Sequence, residues 1–320
     1  MEIISNPTQD EIKKAAKALK DGHLVAFPTE TVYGLGADAA NEKAVSRIYS
    51  VKGRPSDHPL IVHISSINQL DKWAIDIPEY AIKLAREFWP GPMTLILNRG
   101  DLAKDFITGG QDNVGLRVPD HSLALALITE YEKLGGFGIA APSANRFGAV
   151  SPTTSEAVKE ELGSFLQTED LILDGGLSAV GVESSIIDCT KQYPVILRPG
   201  AITTEMIEKT TGFQVQLELE KSKIRASGLF KSHYSPVAKV VLGTYAQPGD
   251  GFIALANIPT PIGAIRLASP ENIEGFARVL YGSLRAGDQK GISKIVVMQP
   301  IGDGLALAIR DRLGKAATKK

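Results

Sequence analysis

The sequence is almost free of cysteine and has no long apolar run. Cys189 is the only cysteine among 320 residues, which excludes an internal disulfide framework and a cysteine-rich zinc module. No stretch approaches the roughly 18 apolar residues that a membrane-spanning helix needs, and the segment before Gly22 lacks the apolar core of a signal peptide. We therefore expect a cytoplasmic protein with no membrane partner.

Neither sign of charge is in excess. Lys and Arg number 35 against 36 Asp and Glu, which gives a formal net charge of -1. This balance excludes a general attraction to nucleic acid or to a membrane surface, so any cationic binding site must be local. The hydrophobic fraction of 43% and the charged fraction of 22% are typical of globular proteins, and the length favours two domains.

Strand and helix patterns alternate up to residue 210. Thr8 and Glu11 form a capping box at the start of the first helix, and Gly22 stands where that helix should end. Later strand candidates often follow one another without a helix between them, which predicts an α/β domain with a mixed sheet. The candidates are strands at 93–98, 114–119, 137–143, 170–176, 184–189 and 194–200, and helices at 42–50, 66–74, 79–88, 121–131, 154–162 and 204–210.

The pattern changes after residue 210. Residues 211–236 show little periodicity and predict a linker, or a lid over the site. The cationic residues of this segment include Lys221, Lys223, Arg225, Lys231 and His233. Residues 237–320 alternate strand and helix again and indicate a small, Rossmann-like parallel α/β domain. We expect three segments: a large domain at 1–210, the linker or lid at 211–236, and a small domain at 237–320.

Four basic side chains lie in the segment VKGRPSDHPLIVHI, residues 51–64. Pro55 and Pro59 place the first three in a loop, whereas the last lies in the strand that follows. These four are Lys52, Arg54, His58 and His63. Alone, such a window is also typical of a solvated loop followed by a core histidine, so other segments must decide.

Two arginines interrupt apolar runs, Arg117 in VGLRVP and Arg198 in VILRPG. A buried guanidinium is costly unless a carboxylate or phosphate meets it, so each forms an internal ion pair or binds an anionic ligand. The segments APSANRFGAVSPTT and GVESSI add small hydrogen-bonding residues, whose loops let backbone N–H groups approach phosphate oxygens. Together these features predict a site for a polyanionic nucleotide, although no G-x-x-x-x-G-K-[ST] P-loop occurs.

Eight motifs occur in the order characteristic of YrdC-like proteins. They are FPTETVYGLGADA, KGRPSDHPLIVHI, PGPMTLIL, VGLRVPDH, APSANRFGAVSPTT, LDGG, GVESSIID and ILRPGAI. The later SHYSP and the domain ending in GLALAIRDRLGKAA resemble the longer, two-domain branch of threonylcarbamoyl-AMP synthases. The resemblance spans essentially the whole chain, and it implies a YrdC-like catalytic domain with a twisted, concave mixed sheet.

The resemblance also implies an activity. Members of this family combine L-threonine, bicarbonate and ATP into L-threonylcarbamoyladenylate and pyrophosphate. A partner transferase then moves the threonylcarbamoyl group to an adenosine of tRNA, so a weak RNA contact is possible. Mg²⁺ is expected with ATP, held mainly by phosphates and water and not by a set of protein ligands.

Site residues follow from the same resemblance. Lys52 and Arg54 would be catalytic by holding ATP phosphates. Further nucleotide contacts would come from His58, Ser143, Asn145, Ser151, Arg198, His233 and Tyr234. The threonine pocket would comprise Thr31, His63, Arg117, Ala141 and Ser184, with Arg117 forming a fork to the threonine carboxylate. Two positions depart from the family pattern, His58 where Asn is usual and Ser185 where Thr is usual, and both keep a hydrogen-bonding group.

Three other functions are alternatives to this one. Carbamoyl transfer, as in hydrogenase-maturation proteins, would bring cysteine-rich zinc segments, which a single cysteine disfavours. A double-stranded RNA-binding or ribosome-associated module would use a concave basic surface, which the near-neutral charge disfavours. A structural scaffold would leave Arg117 and Arg198 in internal ion pairs.

Overall fold

The computed structural model describes residues 3–218, 224–226, 228 and 234–318. Residues 219–223, 227 and 229–233 of the predicted linker or lid at 211–236 lie outside these ranges. Of its cationic residues, Lys221, Lys223, Lys231 and His233 are outside the described part of the chain.

The described residues form ten α-helices and fifteen strands, with a 3-10 turn at Ile67–Gln69. The helices are α1 (Gln9–Lys20), α2 (Glu42–Lys52), α3 (Leu70–Trp73), α4 (Glu79–Phe88), α5 (Asp105–Thr108), α6 (Ser122–Lys133), α7 (Ser155–Leu162), α8 (Thr204–Thr211), α9 (Ile273–Gln289) and α10 (Leu305–Ala317). The strands are β1 (Ile3–Ser5), β2 (Val25–Phe27), β3 (Gly34–Asp38), β4 (Ile61–His63), β5 (Met93–Asn98), β6 (Asn113–Arg117), β7 (Ile139–Ala140), β8 (Leu171–Asp174), β9 (Ser185–Asp188), β10 (Val195–Arg198), β11 (Gln216–Leu217), β12 (Lys239–Leu242), β13 (Gly251–Ile253), β14 (Ile265–Ala268) and β15 (Lys294–Val297).

Two sheets organise the chain. In the described residues the first sheet has the strand order β1-β8-β2-β3-β7-β4-β6-β5-β9-β10-β11 and mixes parallel and antiparallel pairs. The second has the order β12-β15-β13-β14, and all its pairs are parallel. The predicted fold class, a large mixed sheet followed by a small parallel α/β unit, is confirmed.

The first helix shows how local sequence signals become packing. The Thr8 side chain accepts a hydrogen bond from the Glu11 backbone, and the Glu11 side chain accepts one from the Thr8 backbone N–H, completing the predicted capping box. The buried face of α1 carries Ile12, Ala15, Ala16 and Leu19 and packs against α6. This helix therefore covers one face of the sheet beside β2.

Strand β7 is shorter than the run at 137–143 predicts. Only Ile139 and Ala140 pair regularly, and Pro142, two residues further on, has no N–H for the ladder. The backbone returns to the sheet at a single bridge between Gly34 and Ser143. This interruption turns a strand end into a wall of the cavity described below.

Strand β3, with the glycine-rich sequence GLGAD, lies in the sheet although its pattern does not predict a strand. A Cβ on Gly36 would stand 2.7 Å from Ile139 Cγ2 and 2.8 Å from a ring carbon of Phe27. Gly36 is therefore needed for close packing. Because glycine replaces an apolar or β-branched side chain here, the sequence lacks the pattern that usually predicts a strand.

The two domains share an apolar interface. Phe276, Leu280 and Tyr281 of α9 are buried in one cluster with Val150 and Val182 of the large domain. The small domain is thus packed onto the large one through side chains from both. No helix in the described ranges is long and apolar enough to cross a membrane.

Asp170 provides a test of what stabilises the large sheet. Its carboxylate is buried and accepts hydrogen bonds from Arg47, from the Leu24 backbone N–H at 2.8 Å and from the Gln167 backbone N–H at 2.7 Å. We expect Asp170→Ala to lower the free energy of unfolding by about 3 kcal/mol, because buried donors and a buried charge lose their partner. Asp10→Ala, which removes the exposed pair with Lys13, is the control and should have a much smaller effect. Equal losses in urea unfolding would contradict this assignment.

Candidate active site

A cavity lies between the loop after β2, the ends of β4 and β6, and the segments that follow β7 and β10. It contains ≈ 540 Å³ of empty space, counted up to its open mouth. The predicted site residues that line it are Thr31, Arg54, His63, Arg117, Ala141, Ser143, Ser184, Arg198 and Tyr234. The other lining residues include Thr29, Tyr33, Pro142 and Glu183. The structure therefore brings together groups that are more than one hundred residues apart in the chain.

His63 and Arg117 are the last residues of two neighbouring parallel strands, β4 and β6, and they pair in register. The His63 ring meets Phe27 edge-on, with the ring centroids 5.9 Å apart. Burial, and after it the Arg117 charge, lower the pKa of His63 to about 3. His63 is therefore neutral at physiological pH and a poor general base.

Arg117 is held from one side by the loop after β2. Its Nη2 donates to Glu30 Oε1 at 2.6 Å and to Thr31 Oγ1 at 2.9 Å. The second carboxylate oxygen of Glu30 accepts from the Asp120 backbone N–H. Arg117 Nε is buried, and among the described residues it has no hydrogen-bond partner. Nη2 of the guanidinium is thus satisfied by the protein, while Nε is a buried donor without a partner among the described residues.

Lys52 is buried just behind the cavity wall. Its Nζ donates to the backbone carbonyls of Ser143 and Asn145, each at 2.5 Å. Burial, followed by the nearby Arg54 charge, places the pKa of Lys52 well below its usual value. Lys52 itself does not line the cavity, so its observed contacts fix the loop that presents Ser143.

Arg54 does line the cavity. Its Nη2 donates to the Pro59 carbonyl at 3.0 Å, and its guanidinium lies 6.0 Å from the Phe147 ring centroid. Burial lowers the pKa of Arg54 to about 10, which leaves the group charged at neutral pH. His58 lies in the same loop with its ring 5.3 Å from that of Phe147, and it does not line the cavity.

Arg198 is tied to Ser184. Its Nε donates to the Ser184 carbonyl at 3.0 Å and its Nη2 to Ser184 Oγ at 3.1 Å. Ser184 Oγ also bonds to Thr94 Oγ1 on β5 at 2.8 Å. Strand β10 thus carries a guanidinium that is held by Ser184, the residue just before β9, and Ser184 is in turn held by Thr94 of β5.

The remaining predicted residues lie around this cavity. Ser151 donates to Glu183 Oε1 at 2.7 Å and so contacts the wall and not the open space. Asn145 Nδ2 donates to the carbonyls of Arg146 and Ala149, and its buried Oδ1 has no hydrogen-bond partner among the described residues. Tyr234 is buried and has a positive φ of 61°. His233 is outside the described part of the chain.

The carboxylates near the cavity do not fit a metal site. Glu30 is paired with Arg117, and Glu183 with Arg312. Within the described ranges no group of three or more His, Cys, Asp or Glu side chains is arranged to hold a metal ion. Both carboxylates therefore orient arginines.

Glu30 and Glu183 are the two important residues that the motif reasoning missed. A signal was present, because each is an acidic residue inside a segment otherwise made of small and apolar residues, PTETV and GVESS. A buried acid of this kind needs a cation, and two unexplained arginines were already known. The sequence does not show which arginine pairs with Glu30 and which pairs with Glu183.

The shifted pKa of His63 predicts a pH-dependent stability. In the unfolded chain its pKa is about 6.5, so between that pH and about 3 only the unfolded state binds the proton. Stability should therefore fall on acidification, and His63→Asn should reduce the loss between pH 7 and pH 5 by about 2 kcal/mol. Urea unfolding of both proteins measures this difference. As the control, the free energy of unfolding of the two proteins should change equally between pH 7 and 8. Equal changes down to pH 5 would refute the prediction.

Comparison with known proteins agrees with this geometry. Residues 17–200 match the Sua5–YciO–YrdC family, described as telomere recombination, and residues 202–318 match the C-terminal domain of threonylcarbamoyl-AMP synthase. The threonylcarbamoyl-AMP synthase of Pyrococcus abyssi is 40% identical over 96% of this chain and 94% of its own. The crystal structure of P. abyssi Sua5 complexed with L-threonine matches with a TM-score of 0.89 and 38% identity, covering 99% of this chain and 98% of that one.

One relative is shorter and matches only part of this chain. The threonylcarbamoyl-AMP synthase of Vibrio vulnificus is 39% identical over 59% of this chain and 98% of its own length. The chain described here therefore belongs to the Sua5–YciO–YrdC family and carries, in addition, the C-terminal domain of threonylcarbamoyl-AMP synthases.

Proposed function

We infer that this protein is an L-threonylcarbamoyladenylate synthase, which forms threonylcarbamoyl-AMP and pyrophosphate from L-threonine, bicarbonate and ATP. The observation that carries the inference is that three arginines, Arg54, Arg117 and Arg198, line one cavity. Similarity over nearly the full length to threonylcarbamoyl-AMP synthases supports it.

The threonine end of the cavity lies around Arg117. A carboxylate that enters the cavity here would meet a guanidinium whose Nη2 already donates to Glu30 and Thr31. Thr31, His63 and Ala141 line the same region and offer a hydroxyl, a neutral imidazole and a methyl group. Such a pocket suits a small amino acid that carries both a hydroxyl and a methyl group.

The ATP end lies around Arg54 and Arg198. Both guanidinium groups are desolvated, and burial lowers the pKa of each, so phosphate oxygens would stabilise their charged forms. Ser143 lines the wall between them, on the loop whose carbonyls bind Lys52. We assign Lys52 to holding this loop, with Arg54 and Arg198 facing the phosphates.

The chemistry follows from charge. The threonine amine attacks bicarbonate-derived CO₂, a proton leaves the nitrogen, and a carbamate forms with net loss of water. A carbamate oxygen then attacks the α-phosphorus of ATP, and the bond to the bridging oxygen breaks to release pyrophosphate. Since two anions must meet, the chain's contribution is to clamp both with fixed cations and to exclude water.

The cofactor and partners complete the proposal. Mg²⁺ would accompany ATP, held by phosphates and water, because the nearby carboxylates are already paired with arginines. The product is a mixed anhydride, which a transferase acting on tRNA would consume. A cytoplasmic location, where ATP and tRNA are both present, belongs to the same proposal.

The function is tested by pyrophosphate release from ATP. We expect pyrophosphate only when threonine, bicarbonate and ATP are all present, because the nucleophile is assembled from the first two. Alanine should turn over far more slowly than threonine, since it leaves the polar lining without a hydroxyl partner. Turnover that needs neither threonine nor bicarbonate would contradict the proposal. Salt-dependent retention on RNA without this activity would favour a double-stranded RNA-binding module.

Substitutions of Arg117 and Arg198 should affect the binding of different substrates. Arg117→Lys should raise the KM for threonine about tenfold or more and leave that for ATP nearly unchanged, because a point charge replaces a fork. Arg198→Ala should have the opposite pattern. Thermal unfolding of both variants is the control. Lower stability with unchanged KM values would mean that the arginines serve only as structural ion pairs.

A further inference from the structure

Glu183, in the wall of the cavity, is held by the small domain. Its Oε2 accepts from Arg312 Nε at 2.9 Å and from the Tyr281 hydroxyl at 2.8 Å, while Oε1 accepts from Ser151 at 2.7 Å. Arg312 Nη2 also donates to the Glu183 backbone carbonyl at 3.3 Å. Arg312 lies on α10 and is only 1% exposed. One residue of the catalytic wall is therefore fixed through both its side chain and its backbone by the other domain.

The next residue along the chain joins this contact to the nucleotide end. Ser184 accepts two hydrogen bonds from Arg198, one on its carbonyl and one on its hydroxyl. Glu183, Ser184 and Arg198 all line the same cavity. The ring of Tyr234, another lining residue, stacks on Tyr281 with centroids 5.6 Å apart. The Arg312 guanidinium lies 5.6 Å from the centroid of the same Tyr234 ring.

From this geometry we propose that Arg312 is a positioning residue for ATP. It neutralises and orients Glu183, and so leaves the Arg198 guanidinium directed toward the phosphates. The proposal rests on the synthase function above and adds a role for the small domain. Arg312 itself does not line the cavity, so it acts through Glu183 and Ser184.

The physical reason is competition for one cation. Although burial alone would raise the pKa of Glu183, the Arg312 and Arg198 charges hold it at about 2, so the group is a carboxylate at all physiological pH values. If Arg312 is removed, the buried carboxylate must find another positive partner, because an unpaired charge there is costly. Arg198 is the other arginine whose charge acts on Glu183. Glu183 would draw it away from an incoming phosphate.

The shorter relative bears on this argument. The synthase of V. vulnificus matches this chain over 98% of its own length and only 59% of this one. A large domain of this family can therefore occur without α10. In the present chain, Arg312 satisfies an acid that the large domain presents at its own surface.

The experiment is a charge-rescue cycle on the full-length protein. Arg312→Met should raise the KM for ATP about tenfold while the KM for threonine stays within about twofold. Adding Glu183→Gln to Arg312→Met removes the stranded charge and should recover most of the affinity for ATP. Arg278→Ala is the matched control, because this exposed arginine of α9 also crosses the domain interface, donating to the Ala179 carbonyl, without contacting Glu183. It should leave both KM values unchanged.

The outcomes distinguish a positioning role of Arg312 from a purely structural one. They also distinguish failure of this proposal from failure of the proposed synthase function. If Arg312→Met lowers only the melting temperature, or if the double variant binds ATP no better than Arg312→Met, the proposal is wrong. Should Arg312→Met fail to fold, Arg312→Lys keeps the charge without the fork and should show a smaller rise in KM for ATP. ATP binding by equilibrium dialysis needs no turnover, so it tests the cycle even if the wild-type protein makes no pyrophosphate. Absence of ATP binding in the wild type would overturn the proposal.

Discussion

Positive charge removed from water is the constraint on which the site depends. Lys52, Arg54, Arg117 and Arg198 are all buried, and each has to be met by oxygen atoms. The protein supplies oxygens of different kinds: carbonyls for Lys52, the Glu30 carboxylate for Arg117, and the Ser184 carbonyl and hydroxyl for Arg198. Carbonyl oxygens orient a cation but do not neutralise it. Three of these side chains, Arg54, Arg117 and Arg198, line the cavity, where an anionic ligand would meet them.

This distribution suits a reaction between two anions. Because the charged groups are anchored to strand ends and to backbone carbonyls, they need little reorganisation when charge develops on the phosphate. The pairing of His63 with Arg117 serves the same purpose. Burial, and after it the Arg117 charge, keep the imidazole neutral beside the guanidinium. The sheet thus holds the electrostatic arrangement that the chemistry requires.

Much of this was predictable from the sequence, and the reasons for the rest are physical. Arginines inside apolar runs indicated buried cations, and small-residue segments indicated close approach to phosphate; both kinds of segment do line the cavity. Strand β5 matches its apolar run residue for residue, because a buried strand and its hydrophobic pattern coincide. Strand β3 was missed, because its glycines replace the side chains that would have marked it. The assignment of each ligand contact remains a prediction.

Pairings over long chain distances could not be predicted. Arg117 and Glu30 are separated by 87 residues, and Arg312 and Glu183 by 129, so neither pair follows from local pattern. The second pair also crosses between domains, which makes it depend on how two sheets pack. Lys52 illustrates a related limit. The prediction that it lies in a basic loop is wrong, because Lys52 is the last residue of α2, and its burial and its two carbonyl partners appear only after folding.

The interdomain pair is hard to explain by stability alone. A buried ion pair is often no more stabilising than well-packed apolar side chains of similar volume, since both charges must be desolvated. The cluster around Phe276 and Leu280 already joins the domains through apolar contacts. The Arg312–Glu183 ion pair is therefore better explained by its effect on the orientation of Glu183 than by a contribution to holding the domains together. Glu183 is the neighbour of Ser184, the residue just before β9 that accepts both hydrogen bonds from Arg198. The small domain is therefore connected to Arg198 by hydrogen bonds from Arg312 to Glu183, by the peptide bond from Glu183 to Ser184, and by hydrogen bonds from Arg198 to Ser184.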